Sequence, residues 1–473
     1  MTVENRRKEA KAEAKTMESE RNSLPPLNGT MTGKAEREES ILPSESNDIY
    51  IVTIEDVVDE ANIQKAAKAV KGNKGSPGID GITTNEITVL MREQWPQTEK
   101  EIREGRYYPK PVKRVEIPKP DGNGVRQLGI PTVMDRIIQQ AIHQVLISVF
   151  DPHFSVHSFG FRPNRSAHQA ITQAHQYIEE GCEWVVDIDL EKFFDKVNHD
   201  MLMARVARKV KDKKILLLIR RYLQSGAMEN GLVKPTEAGT PQGGPLSPLL
   251  SNIMLDDLDK ELEKRGARFA RYCDDCNIYV KSEKAAKRVM ESVVRYLTEK
   301  LKLKVNQQKS AIDHPWNRKF LGFSFTKEKG PNRIIIHESR IKRLKDKIRG
   351  LTKKMRGREI KDSIRKMIMP ITRGWANYFG ISGERNIFES LDGWIRRKIR
   401  SIIWRQWKKP RTRYRRLIAL GIKEKTAGQN AYSSKGPWRM ARSYAMHKAL
   451  SNDVIEGLGY VPMAQIVARA KCS

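Results

Sequence analysis

Two stretches of the chain place carboxylates where a buried strand calls for apolar side chains. In Trp184-Val-Val-Asp187-Ile-Asp189-Leu-Glu-Lys-Phe193-Phe194-Asp195 an apolar run carries acids to its end and then turns through two phenylalanines towards a helix. In Arg268-Phe-Ala-Arg-Tyr272-Cys273-Asp274-Asp275-Cys276-Asn277-Ile-Tyr-Val two adjacent acids stand between two β-like runs, Phe269 to Tyr272 and Asn277 to Val280, which predicts a hairpin tip. An unpaired carboxylate on an apolar strand is strongly disfavoured unless a cation compensates it. Asp at a turn is often only conformational, so the Asp-Asp pair alone is weak. Taken with Asp189, it becomes a donor set of three carboxylates from two strand ends. Such a set can hold two Mg2+ ions about 4 Å apart, activating a 3′-hydroxyl and stabilising a leaving pyrophosphate without a general-base histidine. Asp187 and Asp195 have a plainer reading, pairing with a basic neighbour or capping a helix, and for Asp195 this reading is preferred.

Cys273 and Cys276 have C-x-x-C spacing, but in extended structure residues three apart face opposite ways, and no second Cys or His pair is near in sequence. They are expected to pack. His153 and His157, spaced like helical ligands, lack further ligands nearby and are expected to be structural.

The elements that must position the acids follow from patterning. From Asp56 to about Ser339 helix-like segments alternate with short β-like runs at Val112 to Pro118, Trp184 to Leu190, Phe269 to Val280 and Lys319 to Phe325, an α/β core. Helical periodicity then takes over, and residues 340–416 hold 26 Lys and Arg against 6 Asp and Glu. That block contributes a net +20 to a chain total of +31. Its aromatic residues are expected inside and its guanidinium groups outside, in phosphate contact. Pro410 closes the block, and Gly421, Gly428, Gly436 and Pro437 punctuate a small, irregular remainder. Residues 1–49 contain no Phe, Trp or Tyr and mix 8 basic with 10 acidic side chains, a composition that cannot offset ordering entropy. The expected division is 1–55 a flexible extension, 56–339 the α/β core, 340–410 a helical basic domain and 411–473 a small basic terminal region.

A charge of +31 points to a polyanion, and no apolar run approaches the roughly 18 residues of a spanning helix, so nucleic acid is favoured over a membrane. Four cysteines without dense spacing, and an amino terminus with no apolar leader, predict a reducing, cytoplasmic setting.

The order of motifs resembles the reverse transcriptases encoded by bacterial group II introns, from about Lys71 to about Pro410. It rests on Gly75-Ser-Pro-Gly-Ile-Asp-Gly81, Arg114-Val-Glu-Ile-Pro-Lys119, Arg126-Gln-Leu-Gly-Ile-Pro131 and Ser158-Phe-Gly-Phe-Arg-Pro-Asn-Arg165, followed by the Asp189 block. After that come Gly239-Thr-Pro-Gln242-Gly-Gly-Pro-Leu-Ser-Pro248, Tyr272-Cys-Asp-Asp275, Leu303-Lys-Val-Asn-Gln-Gln-Lys309 and Phe320-Leu-Gly-Phe323. The resemblance implies a right-hand polymerase of fingers and palm, followed by a mostly helical thumb and maturase domain. It implies that Asp189, Asp274 and Asp275 are the metal ligands, with two Mg2+ ions, and that Lys309 lies near the leaving phosphates.

Lys119 and Arg126 would grip the incoming dNTP, a fork-shaped Arg and a point-charge Lys both suiting phosphate oxygens. Phe194 would exclude a ribose 2′-hydroxyl, and Gln242 would touch the dNTP or template. Arg162, Asn164, Arg396, Arg397 and Arg400 would contact nucleic acid. The implied partners are intron RNA, an RNA template with a DNA primer, dNTPs and a DNA target bound by residues 411–473. The implied function is RNA-directed DNA synthesis with help to intron splicing and retrohoming. A splicing scaffold that does not need the acids, or a domesticated enzyme of repair or defence, are the alternatives. Relatives with an endonuclease carry paired cysteines after the thumb; beyond residue 276 this chain has only Cys472, so that nuclease is expected to be absent. Relatives also usually have Ala where Cys273 stands, a change between two small apolar groups.

Overall fold

The computed structural model describes residues 52–472 apart from 119–123, 230–231, 235–238, 240–242, 328–331 and 356. Lys119 and Gln242 therefore lie outside the described residues. Among the described residues ten strands form three sheets. β1 (Val112–Pro118), β2 (Val125–Ile130), β4 (Ala227–Glu229) and β5 (Leu232–Lys234) make the fingers sheet, in the order β2-β1-β4-β5. β3 (Trp184–Ile188), β6 (Arg268–Tyr272), β7 (Asp275–Val280) and β8 (Ala311–Asp313) make the palm, in the order β6-β7-β3-β8. β9 (Phe323–Phe325) and β10 (Ile334–Ile336) form a separate pair.

The palm sheet divides two apolar cores, and side-chain alternation decides which residue enters which. Val186, Ile188, Cys276 and Ile278 pack with the helices Val133–Phe150 and Ser247–Lys264. Val185, Ala270 and Tyr279 face the other way, towards the helices Ala167–Glu179, Glu338–Lys354 and Arg385–Gln406. Two of these helices begin where side chains take up their free N–H groups: Thr132 accepts from Asp135, and Ser166 forms a capping box with Gln169.

Several boundaries differ from the sequence reading. Residues 52–55 do not belong to an extension, because Val52 and Ile54 are buried and the Ile54 N–H donates to Asp212 at 2.8 Å. Lys319 to Phe325 is not one strand: Leu321 and Gly322 both have positive φ, leaving only Phe323–Phe325 extended. Pro410 opens a helix, Pro410–Ala419, at a first-turn position where its missing N–H costs nothing. Residues 410–472 are a set of short helices sharing the core of the thumb. Asp392, buried in helix Arg385–Gln406, accepts from the Tyr460 hydroxyl at 2.5 Å and from the N–H groups of Met463 at 2.8 Å and Ala464 at 3.0 Å.

Candidate active site

The β6–β7 hairpin turns through Cys273 and Asp274, with Tyr272 paired to Asp275. Only the first turn residue has positive φ, Cys273 at 61°, as in a type II′ turn, where glycine is the usual occupant. The turn rests on Gly160: a Cβ there would stand 2.3 Å from the Cys273 nitrogen, so the backbone approach needs a residue without one. Ile188 pairs with Cys276, which brings the next residue of the chain, Asp189, abreast of Asp275. By alternation Asp187, Asp189, Asp275 and Asn277 share one sheet face.

The Asp189 backbone is pinned on both sides, its N–H donating to Ser310 Oγ at 2.9 Å and its carbonyl accepting from the Asn306 N–H at 2.8 Å. Lys309 Nζ lies 3.7 Å from Asp189 Oδ2. Asp187, by contrast, has a partner: Arg318 donates to its Oδ2 through Nε at 3.1 Å and Nη2 at 2.5 Å. Asp195 is exposed and caps nothing; the helix His199–Lys209 is capped by Asn198.

The acids disturb one another. Asp275 touches solvent at the tip yet is walled by protein on its other sides. Burial, followed by the charges of Asp274, Asp187 and Asp189, pushes its carboxyl up to about 6. Burial and the charge of Asp189 also raise Asp274, opposed by its own backbone N–H and by Arg126. Among the described residues no three His, Cys, Asp or Glu side chains close tightly enough to hold an ion as they stand. The donor chemistry nevertheless suits a hard cation, since one placed among these oxygens removes the mutual repulsion that raises Asp274 and Asp275.

Beside the acids lies a cleft of about 480 Å³ lined by Arg126, Phe194, Gly243, Gly244, Arg136 and Phe161, among others. Arg126 is exposed on β2. Phe194 follows the strand end and is held from behind, because a Cβ on Gly239 would come within 2.6 Å of its carbonyl oxygen. The Gly239 carbonyl in turn contacts His199 Nε2 at 2.6 Å. Gly243 and Gly244 abut Gly129 of the fingers and Gln139 of helix Val133–Phe150. Their lack of side chains lets loop, fingers and palm meet.

The residues expected to contact nucleic acid divide. Asn164 is exposed in a left-handed conformation, and Arg396 is half-buried. Arg162 faces inward with its side chain 5% exposed, bonded to Asp151 and to the carbonyls of Ser155, Ser158 and Asp151. Arg400 is buried and donates to the Leu450 carbonyl at 2.8 Å, and Arg397 donates to the Trp438 carbonyl while its guanidinium lies 3.9 Å from that indole ring. These three arginines join segments of the protein, because each donor that bonds a carbonyl is withdrawn from phosphate. The sequence reading missed Gly239 and His199 behind Phe194. The plainer reading of Asp187, pairing with a basic neighbour, holds, and the partner is Arg318, 131 residues along the chain. His157 and the three described cysteines are structural: His157 Nδ1 meets the Tyr177 hydroxyl at 3.0 Å, and Cys182, Cys273 and Cys276 are buried and free.

Comparison with known proteins adds two family models, reverse transcriptase (RNA-dependent DNA polymerase) over residues 117–325 and the group II intron maturase-specific domain over residues 341–420. Protein YkfC of Escherichia coli is 32% identical over 274 residues, covering 50% of this chain and 72% of that protein. The group II intron-encoded protein LtrA of Lactococcus lactis subsp. cremoris is 41% identical over 170 residues, covering 36% of this chain and 28% of LtrA. The putative COX1/OXI3 intron 2 protein of Saccharomyces cerevisiae is 31% identical over 298 residues, covering 50% of this chain and 35% of its own length.

Proposed function

Since the chain belongs to the family of group II intron-encoded reverse transcriptases with a maturase domain, we propose that it is a metal-dependent RNA-directed DNA polymerase that also binds intron RNA and assists its splicing. One observation supports the polymerase most: Asp189, Asp274 and Asp275 gather at adjacent strand ends, beside a cleft that displays Arg126 and Phe194. Asp189, Asp274 and Asp275 would hold two Mg2+ ions, which when bound neutralise charge on the transferring phosphate. Lys309 places its ammonium group next to Asp189, where it would meet charge developing on a leaving group. Arg126 offers a guanidinium fork to triphosphate oxygens, and Phe194, which lines the same cleft, would exclude a ribose 2′-hydroxyl. Lys119 and Gln242 are proposed for the same nucleotide on their motifs alone.

The helix Glu338–Lys354 exposes Lys342, Arg343 and Lys347 beside a second cleft of about 540 Å³ floored by Trp375 and Phe379. These cations suit the backbone of a template and primer or of intron RNA. A DNA target is proposed as a partner of the basic residues 411–473. No helix among the described residues is long and apolar enough to cross a membrane.

The test is primer extension on a defined RNA template with dNTPs and Mg2+, wild type against Asp274→Asn. Synthesis lost in the variant, with RNA binding retained, is the expected result. Equal RNA binding with no synthesis by either protein would leave the scaffold role alone.

A further inference from the structure

Arg271 stands in β6 with no exposed surface, a full charge inside the protein. Its backbone pairs with Cys276, so its side chain leaves the sheet on the face opposite Asp275 and meets helix Ser247–Lys264. There Nε donates to Asp259 at 2.7 Å, and Nη2 bonds the other oxygen of the same carboxylate. Nη2 also donates to Ser158 Oγ at 2.7 Å, while Nη1 donates to Asn252 Oδ1 at 3.1 Å and to the Cys273 carbonyl at 2.8 Å. Asn252 completes the circuit by donating to the Gly160 carbonyl at 2.8 Å. Asp259 and Asn252 are seven residues apart on one helix, hence on one face.

The Cys273 carbonyl belongs to the same peptide plane as the Asp274 N–H. A donor fixed on that oxygen sets the tilt of the plane from which the Asp274 side chain leaves. The plane needs fixing, because Cys273 holds a left-handed φ that an L side chain disfavours. A buried ion pair is a poor source of stability, since desolvating two charges offsets most of their attraction. The five hydrogen bonds of Arg271, to four residues, supply geometry instead.

We propose that Arg271, seated by Asp259, Asn252 and Ser158, is a positioning residue for the acidic turn. It aims Asp274 and Asp275 from behind and locks them to the Ser158–Phe161 segment, whose Phe161 lines the nucleotide cleft. This rests on the reading of those acids as ligands of a divalent cation.

The test uses the full chain and Mn2+ as the probe, its binding followed by electron paramagnetic resonance, together with dNTP kinetics on an RNA template and thermal unfolding. Arg271→Lys keeps the charge beside Asp259 but cannot reach every partner. It is expected to weaken Mn2+ binding and lower kcat, each by about tenfold or more, as misplacement by an ångström can. KM for dNTP is expected to stay within about twofold, because Arg126 and Phe194, proposed to meet the nucleotide, make no contact with Arg271. Ser158→Ala, which removes one bond of the network and leaves the ion pair, is expected to shift Mn2+ affinity and kcat the same way by about two- to threefold. A lower Tm with native Mn2+ affinity and native kcat below it overturns the proposal. If Arg271→Lys does not fold, native Mn2+ affinity and kcat in Ser158→Ala overturn it. Asp274→Asn is the control: if it leaves Mn2+ binding unchanged, the metal reading fails and takes this inference with it. If it weakens binding while Arg271→Lys does not, the inference alone fails.

Discussion

Gly239→Ala is the perturbation that most directly tests the placement of Phe194. Gly239 has φ +94°, donates its N–H to the Val197 carbonyl at 2.8 Å and offers its own carbonyl to His199. An alanine Cβ would stand 2.6 Å from the Phe194 carbonyl oxygen and 2.8 Å from the Asp195 Cα and carbonyl carbon. All three atoms are backbone, so no side chain can swing aside, and the segment carrying Phe194 must retreat by about 0.8 Å to reach ordinary van der Waals separation. The conformational cost of a side chain at that φ is about 1–2 kcal/mol, and the overpacking adds about 1–3 kcal/mol. The relief available is movement of Phe194 away from Gly239.

If Phe194 is the group that a 2′-hydroxyl meets, that movement changes the ratio of kcat/KM for dATP to that for ATP. The expected change is a loss of about tenfold in discrimination, equivalent to about 1.4 kcal/mol. Single-nucleotide insertion on one RNA template measures it, with Phe194→Ala as the upper limit. A Gly239→Ala protein that is less stable and slows both nucleotides alike, leaving the ratio where it was, refutes this placement. Phe194 would then be core.

Other predictions test the frame around the site. Asp392→Ala strands the Tyr460 hydroxyl and two N–H groups, so stability to urea should fall by about 3–5 kcal/mol and protease should cut between residues 411 and 473 first. Neutralising Arg343 and Lys347 together should reduce the slope of log affinity for a template-primer duplex against log salt by up to about 1.8, at about 0.9 for each phosphate no longer neutralised. Arg400→Gln should leave that slope unchanged and lower Tm, because the Arg400 guanidinium bonds Leu450 and Asn452. A maleimide should find Cys182, Cys273 and Cys276 unreactive in the folded protein and label all three after denaturation. Burial pushes the Cys273 thiol up to about 12 and raises Cys182 as well, so thiolate is scarce at neutral pH.

What the sequence disclosed depended on whether a residue's partner was close in the chain. Asp189 and the Asp274-Asp275 pair stood out because each interrupts an apolar run of a few residues, whereas their sharing one face follows only from the register of β3 on β7. Arg397 and Arg400 were misjudged for the converse reason, since the carbonyls of Trp438 and Leu450 lie 41 and 50 residues from the side chains that bond them. Arg162 has its partners within 11 residues, but its charge and spacing are the same whether it meets phosphate or protein. Asp392 likewise reads as one of few acids in a basic block, and only packing shows it binding residues 460–464. Composition marks the basic surface; it does not say which cations are engaged in holding that surface together.

The parity of the palm strands gives the site its architecture. Odd positions of β3 (Val185, Asp187) and of β7 (Asp275, Asn277, Tyr279) face the thumb core, while Arg271, paired to Cys276, faces the helix behind. A slip of one residue in either strand would exchange these faces, sending the acids into the core that holds Ile188 and Ile278. The register is thus fixed by apolar packing on both sides. The acids occupy the ends of strands whose other residues, Val185 and Tyr279, are buried on the face covered by helix Ala167–Glu179. Carboxylates that repel one another are held together by packing they do not themselves contribute, and the thumb that would carry nucleic acid is built on the same sheet face.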